Sequence, residues 1–105
     1  MIRVLVVDDH AMVRSGLTAL LEASGDITVV GQAQDGQVAV TQAREHQPDV
    51  VLMDLSMPVM DGAEATREVL TVAPESKVVV LTSFSDKARV SAALWARDHL
   101  PDASL

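Results

Sequence analysis

The sequence predicts an α/β domain in which helices cover both faces of a parallel sheet. Short apolar runs alternate with stretches whose apolar residues recur at helical spacing. The runs are largely apolar, as at Val78-Val79-Val80-Leu81, which is typical of parallel strands that are buried on both faces. Because strands and helices alternate, we expect right-handed crossovers that place helices on both sides of a single sheet.

The first half of the chain is predicted to form two strand–helix units. In order, its elements are a strand at 2–7, a helix at 12–23, a strand within 27–33 and a helix at 36–47. Gly25 and Pro48 are suited to end the two helices, because glycine adopts left-handed backbone and proline cannot continue a helix. The helix residues expected to face the core are Val13, Leu17, Leu20, Leu21, Val38, Val40 and Ala43.

Two more such units are predicted in the second half. Their elements are a strand at 49–53, a helix from Asp61 or Gly62 to Val72, a strand at 77–81 and a helix at 86–97. Residues 98–105 fit neither pattern. We therefore expect one domain over 1–97, followed by an irregular tail at 98–105.

Composition limits the classes of function. The chain has 105 residues, enough for one domain, and 49% of them are hydrophobic, with a single Phe and a single Trp. The net charge of −7 argues against direct nucleic-acid binding, which needs a cationic face. The absence of cysteine excludes thiol catalysis and disulfides. No apolar run is long enough for a membrane span, so a cytoplasmic location is expected.

Polar residues follow three of the predicted strands. Asp8 and Asp9 follow the first, Asp54 follows the third and Thr82 follows the fourth. Sites in open parallel sheets form at the carboxyl ends of the strands, so these side chains should converge. Three neighbouring carboxylates repel one another unless a cation or protons neutralise them, and their hard oxygen ligands favour Mg²⁺.

Three segments together resemble a known family. They are VVDDHAMVRSGL at 6–17, MDLSMPVMDG at 53–62 and Leu81-Thr82-Ser83. In this order and at strand ends, they resemble the receiver domains of two-component response regulators, most closely those that precede a NarL/FixJ-type DNA-binding domain. The resemblance covers residues 1 to about 95. It implies a flavodoxin-like (CheY-like) doubly wound parallel sheet whose first four strands have the order 2-1-3-4.

The resemblance also implies roles for individual residues. Asp54 would accept a phosphoryl group from a sensor histidine kinase, which makes the chain a phosphoacceptor and not a conventional enzyme. The ligands of Mg²⁺ would be Asp8, Asp9, Asp54 and the backbone carbonyl of Ser56. Thr82 would bind a phosphoryl oxygen.

Pro58 and Gly62 would shape the loop after Asp54.

The aspartates and the threonine of the predicted site also have simpler interpretations. Asp8 and Asp9 fit as caps of the first helix, Asp54 as a turn residue and Thr82 as a strand-end hydroxyl. We assign no role to His10 beyond a place on the surface, and we expect Arg14 and Arg67 to lie on solvated helix faces.

The resemblance fades after Leu94. Receiver domains continue with a fifth strand, which carries a lysine that pairs with the phosphoryl group, and with a fifth helix. Residues 95–105 contain no lysine, and Pro101 would obstruct a central strand. We therefore expect the fifth strand and helix to be missing or rearranged, with no family lysine, and we do not expect Lys87 to replace it.

An exposed fourth strand would form an open sheet edge. Proteins cover such edges, so we expect a homodimer or swapped oligomer through the fourth-strand and fourth-helix edge. The DNA-binding output domain would lie outside this chain, which itself would contact neither nucleic acid nor membrane.

Two other functions remain open. A degenerate receiver would act as a phosphorylation-independent dimerisation module, which the missing lysine and the open edge favour. A metal-dependent phosphohydrolase would need a second carboxylate two residues after the nucleophile, where this chain has Ser56.

Overall fold

A computed structural model of the chain describes residues 1–54 and 62–81. These residues form four strands and three helices in strict alternation, as the sequence predicts. In chain order they are β1 (Ile2–Val7), α1 (Ala11–Glu22), β2 (Ile27–Ala33), α2 (Gly36–His46), β3 (Val50–Asp54), α3 (Gly62–Val72) and β4 (Lys77–Leu81). The structure does not describe residues 55–61 and 82–105. The predictions of a helix at 86–97, of an irregular tail at 98–105 and of a missing or rearranged fifth strand and helix fall in the second of these ranges.

The four strands form one parallel sheet in the order β2-β1-β3-β4. This order confirms the predicted flavodoxin-like arrangement, in which the chain winds first to one side of β1 and then to the other. Val7 of β1 lies opposite Met53 of β3, which in turn lies opposite Val80 of β4. The three strands therefore end at nearly the same level, and the residues that follow β1 meet the end of β3.

Side chains of the inner strands alternate between two apolar layers. Leu5, Val7, Val51 and Met53 belong to the layer that α2 and α3 cover, and Val4, Val6 and Leu52 belong to the layer that α1 covers. All seven are essentially buried, which explains why their strands are apolar on both faces. At about 25 cal/mol per Å² of apolar surface removed from water, these layers supply much of the favourable free energy of folding.

The helices contact the sheet through narrower faces than the sequence predicts. In α1, Leu17 and Leu21 are buried, whereas Leu20 is 60% exposed, so its predicted place in the core is wrong. One residue along a helix is a rotation of about 100°, which turns Leu20 away from the sheet when Leu21 faces it. In α2, Ala39 and Ala43 are buried while Val38 and Val40 lie at the margin, because small side chains face the layer shared with α3.

Local chemistry sets the ends of the helices. Asp35 caps α2, where its carboxylate accepts a hydrogen bond from the backbone N–H of Val38 at 2.9 Å. Gln47 ends α2 in the left-handed conformation with φ 48°, and Pro48 directly after it cannot continue the helix. Gly25 has φ 82° but lies two residues beyond Ala23, the cap of α1. Within 1–54 and 62–81, no helix is long and apolar enough to cross a membrane.

Candidate functional site

Three carboxylates meet at the carboxyl ends of β1 and β3. Asp8 and Asp9 follow β1, and Asp54 is the last residue of β3. One ligand atom from each of Asp8, Asp9, His10 and Asp54 lies within 4.8 Å of the others. The structure therefore brings together the three aspartates that the sequence analysis singled out and adds a histidine, and we call these four residues the acidic site.

Backbone and side-chain hydrogen bonds hold Asp8 in place. Its N–H donates to the carbonyl of Ala33 at 3.0 Å, which extends the contact between β1 and β2 by one residue. Its own carbonyl accepts from Nη1 of Arg14 at 2.6 Å. Its Oδ1 accepts from the N–H of His10 at 2.8 Å, which closes a turn between the side chain and the backbone two residues on. Asp8 is buried, and contacts at its N–H, its carbonyl and its side chain hold it in place.

Asp9 presents an oxygen that its surroundings do not satisfy. Its side chain is 27% exposed, but Oδ1 is buried and, among the described residues, makes no hydrogen bond. Nδ1 of His10 lies 2.9 Å from this oxygen. A buried acceptor without a donor costs free energy, and a cation at this position would remove that cost.

The donor set fits a hard divalent cation. The acidic site offers carboxylate oxygens from three aspartates, of which Asp54 is only 5% exposed. Several carboxylates in a partly desolvated site repel one another, and a divalent cation compensates for this repulsion. Oxygen ligands of this kind are those that Mg²⁺ uses in proteins. The site can therefore concentrate positive charge beside the carboxylate of Asp54.

Two residues contribute to the acidic site in ways that the sequence analysis missed. His10 was expected on the surface without a role, but its Nδ1 lies 3.1 Å from Oδ1 of Asp8. Arg14 was expected on a solvated face, but it binds the carbonyl of Asp8. Their spacing in the sequence could have indicated these roles, since His10 directly follows the two aspartates and Arg14 lies about one helical turn after His10.

The remaining predicted site residues lie mostly outside the part of the chain that the structure describes. Ser56, Pro58 and Thr82 fall in the gaps at 55–61 and 82–105, as does Lys87. Gly62 is the first residue of α3, which is consistent with a helix that begins soon after the loop. The roles that the resemblance gives these residues remain predictions.

Comparison with protein families and with curated proteins identifies relatives. The family model of the response regulator receiver domain matches residues 4–99. The chain is 54% identical over 90 residues to the transcriptional regulatory protein LiaR of Bacillus subtilis, a match that covers 86% of this chain and 43% of LiaR. It is 50% identical over 93 residues to the response regulator protein VraR of Staphylococcus epidermidis, covering 89% of this chain and 44% of VraR. The chain thus spans less than half the length of these relatives.

Solved structures agree with the match to the family. The response regulator domain of CheB from Thermotoga maritima superposes with a TM-score of 0.73 at 35% identity, covering 90% of this chain and 72% of that one. The receiver domain of NarL from Mycobacterium tuberculosis gives a TM-score of 0.71, also at 35% identity, covering 86% of this chain and 77% of that one. The family model, the similar sequences and the similar structures agree, and the chain belongs to the response regulator receiver domain family.

Proposed function

We propose that the chain is a phosphorylation-controlled receiver that accepts a phosphoryl group on Asp54 from the phosphohistidine of a sensor histidine kinase. The observation that carries this proposal is the convergence of Asp8, Asp9 and Asp54 at the ends of β1 and β3. Membership of the receiver family supports it. A carboxylate that is nearly buried beside two others is an unusual arrangement unless a cation and a charged reactant come to it.

The transfer exchanges one bond for another. The bond from phosphorus to one nitrogen of the kinase imidazole breaks, and a bond from phosphorus to a carboxylate oxygen of Asp54 forms. The other ring nitrogen of the phosphohistidine carries a proton, so the imidazole leaves as a neutral molecule. Asp8 and Asp9 would hold Mg²⁺ together with Asp54 and the carbonyl of Ser56. When bound, the ion would neutralise charge on the phosphoryl oxygens, which is the main catalytic requirement of phosphoryl transfer.

Residues beyond the acidic site would complete the switch. Thr82 would bind a phosphoryl oxygen, and Pro58 and Gly62 would shape the loop that follows Asp54. Phosphorylation would then shift a pre-existing equilibrium between two conformations. Since LiaR is called a transcriptional regulatory protein, we propose that this receiver works in the cytoplasm and controls a DNA-binding output domain.

The test is the intact mass of the protein after incubation with a small phosphodonor and Mg²⁺. We expect one phosphoryl adduct in the parent protein and none in Asp54→Asn. Asp49→Asn is the matched control, because Asp49 is an exposed carboxylate that precedes the same strand at its opposite end. A folded parent protein without an adduct, or an adduct that persists in Asp54→Asn, would contradict the proposal.

A second candidate function is a dimerisation module that works without phosphorylation. Val80 on β4 is 41% exposed, and β4 lies at the edge of the sheet that the described strands form. A partner copy that covers this edge would bury Val80 and extend the sheet. Sedimentation with and without the phosphodonor separates the two functions, because this candidate requires a dimer that Asp54→Asn leaves unchanged.

A further inference from the structure

The side chain of His10 is directed toward the acidic site and not toward the helix that His10 precedes. It is the N-cap residue of α1, yet its side chain makes no capping hydrogen bond to that helix. Residues that cap helices well are Ser, Thr, Asp and Asn, whose short side chains reach the free N–H groups of the first turn. The imidazole points instead toward the carboxylates of Asp8 and Asp9.

The turn that Asp8 forms explains this direction. Oδ1 of Asp8 accepts the backbone N–H of His10 at 2.8 Å and also lies 3.1 Å from Nδ1 of the same residue. One carboxylate oxygen of Asp8 therefore contacts both the backbone and the ring of His10. The ring remains 69% exposed, so solvent can reach it while Nδ1 faces the acidic site.

Two distances from the ring nitrogen of His10 fit neighbouring positions in the ligand shell of one ion. In an octahedral shell with bonds of about 2.1 Å, neighbouring ligands lie about 3.0 Å apart. Nδ1 of His10 lies 3.1 Å from Oδ1 of Asp8 and 2.9 Å from Oδ1 of Asp9. The second of these oxygens is the buried one that makes no hydrogen bond among the described residues.

We propose that Nδ1 of His10 is a further ligand of the cation centre and makes it favour first-row transition ions that accept imidazole, such as Zn²⁺ and Co²⁺, relative to Mg²⁺. The proposal rests on the cation centre of the proposed function and concerns which ion that centre selects. Imidazole nitrogen is a good ligand for these ions, whereas Mg²⁺ prefers oxygen. In the bound form the ring is neutral, with Nδ1 on the ion and the proton on Nε2.

The experiment follows the ring nitrogens directly. The full chain, labelled with ¹⁵N, is titrated with Zn²⁺ and separately with Mg²⁺, and the imidazole resonances are recorded by NMR. The chain has three histidines, so His10→Gln and His46→Gln assign the signals. His46→Gln is the matched control, because His46 lies at the end of α2, away from the acidic site. Circular dichroism verifies that each variant is folded.

We expect Zn²⁺ to shift Nδ1 of His10 and Asp9→Asn to weaken that response. In His10→Gln, the ratio of Zn²⁺ affinity to Mg²⁺ affinity should fall about tenfold or more, the scale on which one group beside a protein metal acts. His46→Gln should keep the parent ratio. An unshifted His10 ring at saturating Zn²⁺, a shift at Nε2 in place of Nδ1, or an unchanged ratio in His10→Gln would overturn the proposal.

The phosphoryl adduct of the parent protein with Mg²⁺ separates this inference from the proposed function. An adduct without a His10 response to Zn²⁺ would overturn the ligand role alone. A His10 response without an adduct would support the ligand role and contradict phosphoryl acceptance by Asp54. The absence of both a His10 response and an adduct would overturn the ligand role and contradict the proposed function.

Discussion

Nη1 of Arg14 donates a hydrogen bond of 2.6 Å to the backbone carbonyl of Asp8. This contact joins the first turn of α1 to the end of β1, so the helix and the acidic site share a fixed position. Because Arg14 donates to the backbone carbonyl of Asp8, it holds the main chain from which the Asp8 carboxylate projects.

Replacing Arg14 with alanine is expected to loosen the acidic site. A hydrogen bond from a charged donor contributes about 1.5–3 kcal/mol, and the half-buried position of Arg14 favours the lower end. We expect the free energy of unfolding to fall by about 1.5 kcal/mol in denaturant titrations. Mg²⁺ affinity should fall as well. Arg67→Ala, on an exposed position of α3, is the control; equal losses in both variants would contradict a positioning role for Arg14.

Divalent cations are expected to stabilise the fold through the acidic site. At a concentration about 100 times its dissociation constant, a ligand that binds only the folded state adds about 2.7 kcal/mol to the free energy of unfolding. Asp9→Asn should lose most of the increment that Mg²⁺ gives, because it removes a charged ligand. Thermal unfolding with and without MgCl₂, at matched ionic strength, measures this effect. Asp49→Asn should keep the full increment, and a comparable loss there would mean that the stabilisation is not site-specific.

Two adjacent leucines of α1 are expected to differ strongly when truncated. Leu21 is buried in the layer between α1 and the sheet, whereas Leu20 is exposed. Leu21→Ala removes buried methyl groups and leaves a cavity, so it should cost about 2–5 kcal/mol. Leu20→Ala should change stability by less than about 0.5 kcal/mol. Denaturant midpoints of the two variants test the orientation of α1, and the reverse order would show that α1 is rotated on the sheet.

The cap of α2 is expected to make a measurable contribution. The carboxylate of Asp35 accepts the N–H of Val38, which has no partner inside the helix. Asp35→Ala should lower the free energy of unfolding by about 1 kcal/mol. Asp35→Asn is the matched control, since asparagine caps helices equally well and should retain most of the stability. If both substitutions cost the same, the charge of Asp35 would matter and not its hydrogen bond.

The sequence predicts the strands well because their signal is local. β1 and β4 begin and end at the predicted residues, since each is an apolar run between polar ones. β3 begins and ends one residue later than predicted, and its end is later because Asp54 continues the pairing with β4 at Leu81. The convergence of the three aspartates follows from the same reasoning, since parallel strands place their carboxyl ends at one edge.

The parts that the sequence analysis missed depend on tertiary geometry. The exposure of Leu20 reflects the rotation of α1 on the sheet, which apolar spacing alone leaves uncertain. The position of His10 depends on a turn made by the side chain of Asp8, and that of Arg14 on the distance between α1 and β1. Each of these contacts joins residues whose types are common on protein surfaces, so no composition rule identifies them.

The order of the strands also bears on whether the acidic site keeps its geometry when parts of the structure open locally. Asp8 follows β1 and Asp54 ends β3, and each of these strands pairs on both sides with another described strand. Backbone amides in such strands exchange hydrogen with solvent mainly when a whole domain opens, whereas edges and loops open locally. We therefore expect the amides of β1 and β3 beside these carboxylates to exchange slowly. The relative placement of the carboxylates should survive the local fluctuations that precede unfolding, and it should be lost only with the fold itself.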